Sequence, residues 1–267
     1  MIRITNTIVV GFQPALHGMR NPMESWEKSN STFYAESPVI NWKDQLVPEN
    51  PVLGDNDIDL MCRLIFSGSE HAKFMRDICI WVQIEPNRGC WQELDTYKVS
   101  TVRNSCSTMH KLGSRPLTYD DFQDGIVMDS VLDKLNALGA KYRETKDYSL
   151  VIEMKRILPE GFLQMANYHM NYANALNMFN QRRNHRLPEW RFTGSVNPLP
   201  DGRMSICDWI YSLPYMDYII KDQKSRQEAR IEEYREEGRK EVRAALQVEL
   251  DKLQKALHGV LGDVKLA

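Results

Sequence analysis

The densest gathering of chemistry-bearing side chains lies in 70–111, EHAKFMRDICIWVQIEPNRGCWQELDTYKVSTVRNSCSTMHK. Hydroxyls, amides, two histidines and three cysteines crowd there around two apolar runs, a composition suited to hydrogen-bonding a small polar ligand. Cys106 and His110 stand at i, i+4, where a helix would put both on one face for a metal. A lone pair leaves a four-coordinate site half built, so no metal is expected. As a nucleophile Cys106 would need a depressed thiol pKa, and nothing in its Ser- and Thr-rich surroundings supplies one. His110 beside Lys111 meets a like charge that disfavours its protonated form. Tyr97 can stack on a planar ligand or fill core. A second cluster, Gln181-Arg182-Arg183-Asn184-His185-Arg186, is the densest cationic group outside the C-terminal tail. It can meet a phosphate or compensate a helix C-terminus.

Several elements must hold these groups. Ile78, Ile80, Val82 and Ile84 alternate, which predicts a strand over 77–84 covered on one side and ended by Pro86 and Gly89. A helix can follow over 88–97, whereas 99–110 is too rich in Ser, Thr and Asn for either regular element and reads as an ordered, functional loop. Upstream, a strand is expected over 5–12, then a long surface loop through GFQPALHGMRNPMESWEKSNS. The aromatics Trp26, Phe33, Tyr34 and Trp42 imply that this N-terminal piece packs down. Asp55 reads as the N-cap of a helix with Ile58, Leu60, Met61, Leu64 and Ile65 on its apolar face. Downstream, 118–121 can start a helix, and Val127, Val131, Leu132, Leu135 and Leu138 recur at helical spacing. A further helix over 148–157 and, after Leu158-Pro159-Glu160-Gly161, a long one over 162–183 complete the pattern.

At 267 residues, 42% hydrophobic and 26% charged, the chain has the makings of one large α+β domain with an appendage. The expected division is 1–220 for the domain and 221–267 for a charged helical tail, in which Val242, Leu246, Leu250, Leu253 and Leu257 form a coiled-coil-like seam. That tail reads as an oligomerising or docking helix, or as one folded back on its own domain. A net charge of −2 gives no footprint for nucleic acid. No apolar run approaches bilayer length, and the first residues lack the pattern of a signal peptide, so a cytoplasmic protein is expected. Five widely spaced cysteines without a Cys-x-x-Cys pair fit reduced thiols.

In their order along 56–190, these landmarks resemble the flavin-dependent thymidylate synthase family. Glu70-His71 is similar to the family's Glu-His before its core strand, Trp91-Gln92 to the Arg-Gln-Trp leading into its signature, and Ser100 and Ser105 to the signature's two serines. Lys155 with Ile157-Leu158-Pro159 resembles Arg-x-x-Leu-Pro. Leu176, Phe179 and Arg183 resemble Leu-x-x-Phe-x-x-x-Arg, and Glu189-Trp190-Arg191-Phe192 stands at Gln-x-Glu-Ile. The resemblance implies binding of a pyrimidine deoxynucleotide such as deoxyuridylate, with FAD, NADPH and a methylene-folate if the chain is active, and a homo-oligomer, a tetramer in the family, with its site between subunits. It further implies Ser105 and Gln92 as catalytic groups that hydrogen-bond the pyrimidine, His71, Tyr97 and Ser100 at the cofactor, and Lys155, Arg183 and Arg103 at the substrate phosphate. Read as residues alone, His71 can equally cap a turn, Gln92 satisfy backbone, and Arg183 meet a surface carboxylate. The pattern also departs from the family. Asp95-Thr96-Tyr97 replaces Arg-His-Arg, Arg103 an acidic residue, Ser107 a substrate-binding arginine, and Thr108 a tyrosine. A binding or interaction module that keeps the fold without the flavin chemistry is therefore the alternative. The segments DTYKVSTVRNSCSTMHK and GMRNPMESW are also similar to bacteriophage- and prophage-borne proteins, which implies a bacterial host cell.

Overall fold

The computed structural model describes residues 1–34 and 50–262. Its elements, in chain order, are strand β1 (Ile2–Val10), helix α1 (Phe12–Arg20), β2 (Thr32–Tyr34), β3 (Asn50–Val52), α2 (Asp55–Phe66), β4 (Cys79–Glu85), α3 (Arg88–Leu94), β5 (Val102–Ser105), α4 (Thr108–Lys111), α5 (Asp129–Thr145), α6 (Tyr148–Ile157), β6 (Ala166–Asn171), α7 (Tyr172–Arg182), β7 (Arg203–Met204), α8 (Ile206–Tyr211) and α9 (Met216–Gly262). Five strands form an antiparallel sheet in the order β5-β6-β4-β1-β7, and β2 pairs with β3 apart from it. The arrangement is α+β, and the chain divides into two compact units, Met1–Tyr218 and Ile219–Ala267.

The central strand β4 follows its alternation. Ile80, Val82 and Ile84 are at most 3% exposed, while Cys79, Trp81, Gln83 and Glu85 are half-buried on the other face. Each buried aliphatic side chain contributes roughly 1.5–3 kcal/mol, so the apolar face pins this strand at mid-sheet. The strand begins only at Cys79, because Ala72–Arg76 forms a 3-10 turn closed by the Asp77 N–H on the Phe74 carbonyl. Gly11 makes the next connection: its φ is +102°, and a Cβ there would lie 2.2 Å from the Asp77 carbonyl oxygen. Strand and helix can approach so closely only at glycine.

Four expectations are corrected. The long helix over 162–183 is a strand and a helix, because Ala166, Tyr168 and Met170 alternate into the core before Asn171 caps α7. The loop over 99–110 contains β5, paired with β6 from Val102↔His169 to Ser105↔Ala166, and the short helix α4. The N-terminal loop contains α1, whose Phe12, Ala15, Leu16 and Met19 are buried and whose Pro14 sits in the first turn, where its missing N–H costs nothing. Finally, Gly54 rather than Asp55 caps α2; a Cβ at Gly54 would fall 2.1 Å from the Asn30 side-chain oxygen. Of the N-terminal aromatics, Trp26 is 43% exposed, with its indole N–H donating to Asn21 Oδ1. Trp42 lies outside the described residues.

Helices α5 and α6 enclose a second core of Leu132, Leu135, Leu138, Leu150 and Met154, joined by Leu117 and Phe122. In the other unit, Val242, Leu246, Leu250 and Leu253 of α9 are 59%, 64%, 49% and 64% exposed. The Leu257 side chain lies outside the described residues.

Candidate functional site

The site is built on α3. Asn87 caps this helix by accepting from the Cys90 N–H at 2.6 Å, and the Trp91 indole N–H reaches the Gln164 carbonyl at 2.8 Å. Cys90, Trp91 and Leu94 are thereby buried, and Gln92, Glu93 and Thr96 fall along one side of a cleft of about 650 Å³. Glu160 and Gln123 stand on another wall, and Leu187, Pro188 and Glu189 close a third. Among the described residues no Lys or Arg lines this cleft.

Behind Glu93 lies a hydrogen-bonded cluster. Arg182 Nη1 is 2.9 Å from Glu93 Oε2, and Arg182 Nε donates to the Tyr97 hydroxyl at 2.9 Å. That hydroxyl donates in turn to Gln181 Oε1 at 3.0 Å. The guanidinium also lies 4.9 Å from the ring centre of Trp190, a cation–π contact that holds it in place. Trp190 is fully buried, and its indole N–H has no acceptor among the described residues. Cys90 is inert: burial pushes its thiol up, and the Glu189 and Glu93 carboxylates push it further. Cys207 is likewise raised, to about 12, by burial and Asp208. Among the described residues no group of three His, Cys, Asp or Glu could hold a metal ion.

The residues singled out by the sequence are dispersed. Gln92 lines the cleft, its Nε2 donating to Glu160 Oε2 at 3.4 Å. Tyr97 is 8% exposed and bonded as above. Ser100, at φ +58°, opens with Arg76, Asn171 and Asn174 onto a separate hollow of about 300 Å³. Arg103 lies 4.7 Å over the Trp91 ring and 2.9 Å from Asp95. Ser105 is exposed at the end of β5, and His71 is exposed before the 3-10 turn. Lys155 on α6 has its Nζ 2.9 Å from the Met109 sulfur, a weak acceptor. Arg183, the C-cap of α7, is exposed, and its guanidinium meets no carboxylate among the described residues. Only Gln92 of this set opens onto the large cleft. Sequence reasoning noted Glu189 as a landmark and missed its burial, and it read Arg182 only as part of a cationic run.

The FAD implied by the resemblance can be tested against Asp95-Thr96-Tyr97. Asp95 is paired with Arg103, the Thr96 hydroxyl donates to the Glu93 carbonyl at 2.7 Å, and Tyr97 is buried. The segment supplies no cation and no free donor for a pyrophosphate, so these residues do not fit the phosphates of FAD.

No protein-family model matches the chain, and no match is found among curated proteins. Among solved structures the chain is similar to thymidylate synthase X from Helicobacter pylori with FAD and dUMP, at a TM-score of 0.52 and 15% identity over 84% of this chain and 99% of that one. Another structure of the flavin-dependent enzyme from that organism, complexed with FAD and dUMP, gives 0.49 at 15% identity over 78% and 92%. The first likeness shows the fold: this is an α+β chain with the architecture of flavin-dependent thymidylate synthase. Among the described residues no helix is long and apolar enough to cross a membrane.

Proposed function

We propose that the chain binds a pyrimidine deoxynucleotide, with the base in the cleft beside Gln92 and the phosphate on Arg183. The observation that carries this reading is the exposed Arg183 guanidinium, which meets no carboxylate among the described residues, on the turn that leads into the Leu187–Glu189 wall. Its neighbour Arg182 is tied to Glu93, so the cationic run divides into one structural arginine and one available arginine. A charge-assisted arginine–phosphate contact contributes about 1.5–3 kcal/mol. Lys155, whose Nζ lies against the Met109 thioether, supplies a second cation. Because Ser100, Ser105, His71 and Lys155 do not open onto this cleft, the full site is completed between subunits of a homo-oligomer, a tetramer by the resemblance. The setting that goes with this reading is the cytoplasm of a bacterial host, with the chain carried by a phage.

Titration calorimetry of dCMP and dUMP tests the phosphate assignment. Arg183→Ala is expected to weaken the bound nucleotide about tenfold or more while the melting temperature stays within about 1 °C, as for an exposed side chain. Equal affinity in the variant removes Arg183 from the site.

Modification of the base at C5 with FAD, NADPH and a methylene-folate, with Ser105 and Gln92 at the pyrimidine and His71, Tyr97 and Ser100 at the cofactor, is the second reading. It is supported by the shared fold and opposed by the Asp95–Tyr97 segment. The absorption spectrum after addition of FAD and desalting separates the two. A colourless protein is expected, and stoichiometric flavin absorption would restore the synthase reading.

A further inference from the structure

Helix α3 packs on one face of the central sheet, where the Trp91 and Tyr168 ring centres are 5.9 Å apart. The strand register defines the opposite face. Residues paired across neighbouring strands share a face, and the pleat alternates faces along each strand. Val102, His169, Trp81 and Ile8 therefore form one row across β5, β6, β4 and β1, and Asn104, Asn167, Gln83 and Thr5 form the next. The open face of an antiparallel sheet is ordinarily polar. Here the second row obeys that rule and the first breaks it.

The apolar row is also concave. Trp81, His169, Val102, Asn104 and Asn167 line a hollow of about 220 Å³. The Trp81 and His169 ring centres are 4.8 Å apart, with their planes 38° from parallel. Val102 is 53% exposed, and Asn104 and Asn167, both exposed, are paired across β5 and β6. A cross-strand ring pair by itself would serve only to hold β4 against β6. It does not account for an exposed valine and two amides gathered around the same concavity. Each asparagine offers a carbonyl acceptor and two N–H donors. Charge is absent from the lining, because burial lowers the His169 pKa below its ordinary value and keeps the imidazole neutral. The strand charges that share this face, Arg3, Glu85 and Arg203, lie beyond the Gln83 row and are paired, Arg3 with Glu85 and Arg203 with Asp201 and Asp124.

We infer that this hollow is a binding site for the base of a purine nucleoside, stacked on the Trp81 and His169 pair and hydrogen-bonded at its edge by Asn104 and Asn167. Aromatic side chains hold a base by its π-face, and an asparagine amide matches the neighbouring donor and acceptor on the adenine edge. The hollow, at about 220 Å³, is smaller than the roughly 300 Å³ at which sites for drug-sized ligands begin, so it takes one ring system and leaves the sugar outside. A bicyclic purine covers more of the ring pair than a monocyclic pyrimidine does. With no cation in the lining, a phosphate on the sugar adds nothing. This site is independent of the nucleotide reading of the α3 cleft, since α3 packs on the other face of the sheet.

Calorimetry and tryptophan fluorescence with adenosine, AMP and cytidine, on the full chain and its variants, test the assignment. Adenosine is expected to bind and to quench the fluorescence, AMP to bind within about twofold of it, and cytidine about fivefold or more weaker. Trp81→Ala is expected to weaken adenosine about tenfold or more, and Trp81→Phe, which keeps a ring, by no more than about threefold. Because Trp81 is half-buried and its truncation can disturb the sheet, the exposed amides give a second test. Asn104→Ala with Asn167→Ala is expected to weaken adenosine about fivefold or more while the melting temperature stays within about 1 °C. Adenosine binding that survives both the Trp81→Ala and the double asparagine variant would lie elsewhere and overturn the inference. AMP bound about tenfold tighter than adenosine, and lost in Arg183→Ala, would belong to the α3 cleft and overturn it as well. Cytidine bound as tightly as adenosine would overturn the purine assignment. Failure of every nucleoside to bind would end the inference, and a lower subunit count for Val102→Glu in light scattering would then give this face to a second copy of the chain.

Discussion

Asp57 and Glu93 each meet an arginine, the first out of solvent and the second at the edge of the cleft. Around Asp57 the chain has assembled a guanidinium, two hydroxyls and two backbone N–H groups from α1 and the 29–31 turn. Burial alone would push this carboxyl up, but the hydrogen bonds of Ser31 and Ser29 and the Arg20 guanidinium outweigh it and hold it below the usual carboxylate range. Glu93 is about one-third exposed where it lines the cleft, and its arginine, Arg182, is shared with the Tyr97 hydroxyl. The difference teaches what burial demands: the carboxylate out of solvent is saturated by the chain itself, and the one at the cleft keeps water among its partners.

That contrast breaks most directly at the saturated end. Arg20→Ala leaves Asp57 buried without its cation, and loss of one partner of a buried pair costs about 3–5 kcal/mol. For a unit of this size the melting temperature should fall by roughly 6–20 °C. A drop of only a degree or two would mean that the Ser29 and Ser31 donors suffice alone, and that burial of Asp57 says little about how charge is compensated here. The acid side sharpens the same point. A carboxyl held low in the folded state stabilises above its unfolded pKa, and that stability is lost as pH falls through the lower, folded value. Melting temperature should therefore decline below about pH 4 in the wild type, and Asp57→Asn should flatten that limb. An acid limb identical in the variant would assign it to other groups, Asp121 first, since its carboxyl is also held low, by Arg115 and the Thr118 N–H against the effect of burial.

The sequence shows some of this organisation and conceals the rest for identifiable reasons. Strand β4 was legible because Ile78, Ile80, Val82 and Ile84 all point into one core, and α5 because Leu132, Leu135 and Leu138 do. Strand β6 was hidden by continuity: the alternation of Ala166, Tyr168 and Met170 runs directly into the helical spacing of Ala175, Leu176 and Phe179. Strand β5 carried no pattern, since its four residues are all exposed and its edge position is decided by pairing with β6 rather than by burial. The candidate site was legible in its residue types and not in its grouping. Arg182 and Arg183 are adjacent and look alike, yet a single residue step at the end of α7, about 100° around the helix, gives the first to Glu93 and the second to solvent. The signal at Glu189 was a carboxylate where the resemblance has a neutral glutamine. Its meaning depends on burial, which no local pattern around 189 announces.

The smallest effect on the fold is expected at the opposite extreme of burial, in α9. At 1.5 Å per residue its 47 residues extend for roughly 70 Å. Its charged side chains pair along the helix, as in Arg226 with Asp222 and Arg235 and Arg239 with Glu232. Such pairs contribute only a few tenths of a kcal/mol each. A helix of this length gains little from them, and the exposed Val242, Leu246, Leu250 and Leu253 seam is the apolar surface that association would cover. Replacing Leu246 and Leu250 together by Glu removes two side chains that are 64% and 49% exposed. The main transition in a thermal melt should therefore move by less than about 1 °C. If α9 assembles the protein, light scattering should show fewer subunits in this variant, and addition of nucleotide should not restore them. An unchanged subunit count would place assembly in Met1–Tyr218 and leave the seam to a partner of another kind. The two results also bear on the cleft. If the site is completed between subunits, loss of assembly through α9 should weaken nucleotide binding at constant melting temperature, whereas a site held within one chain should bind as before.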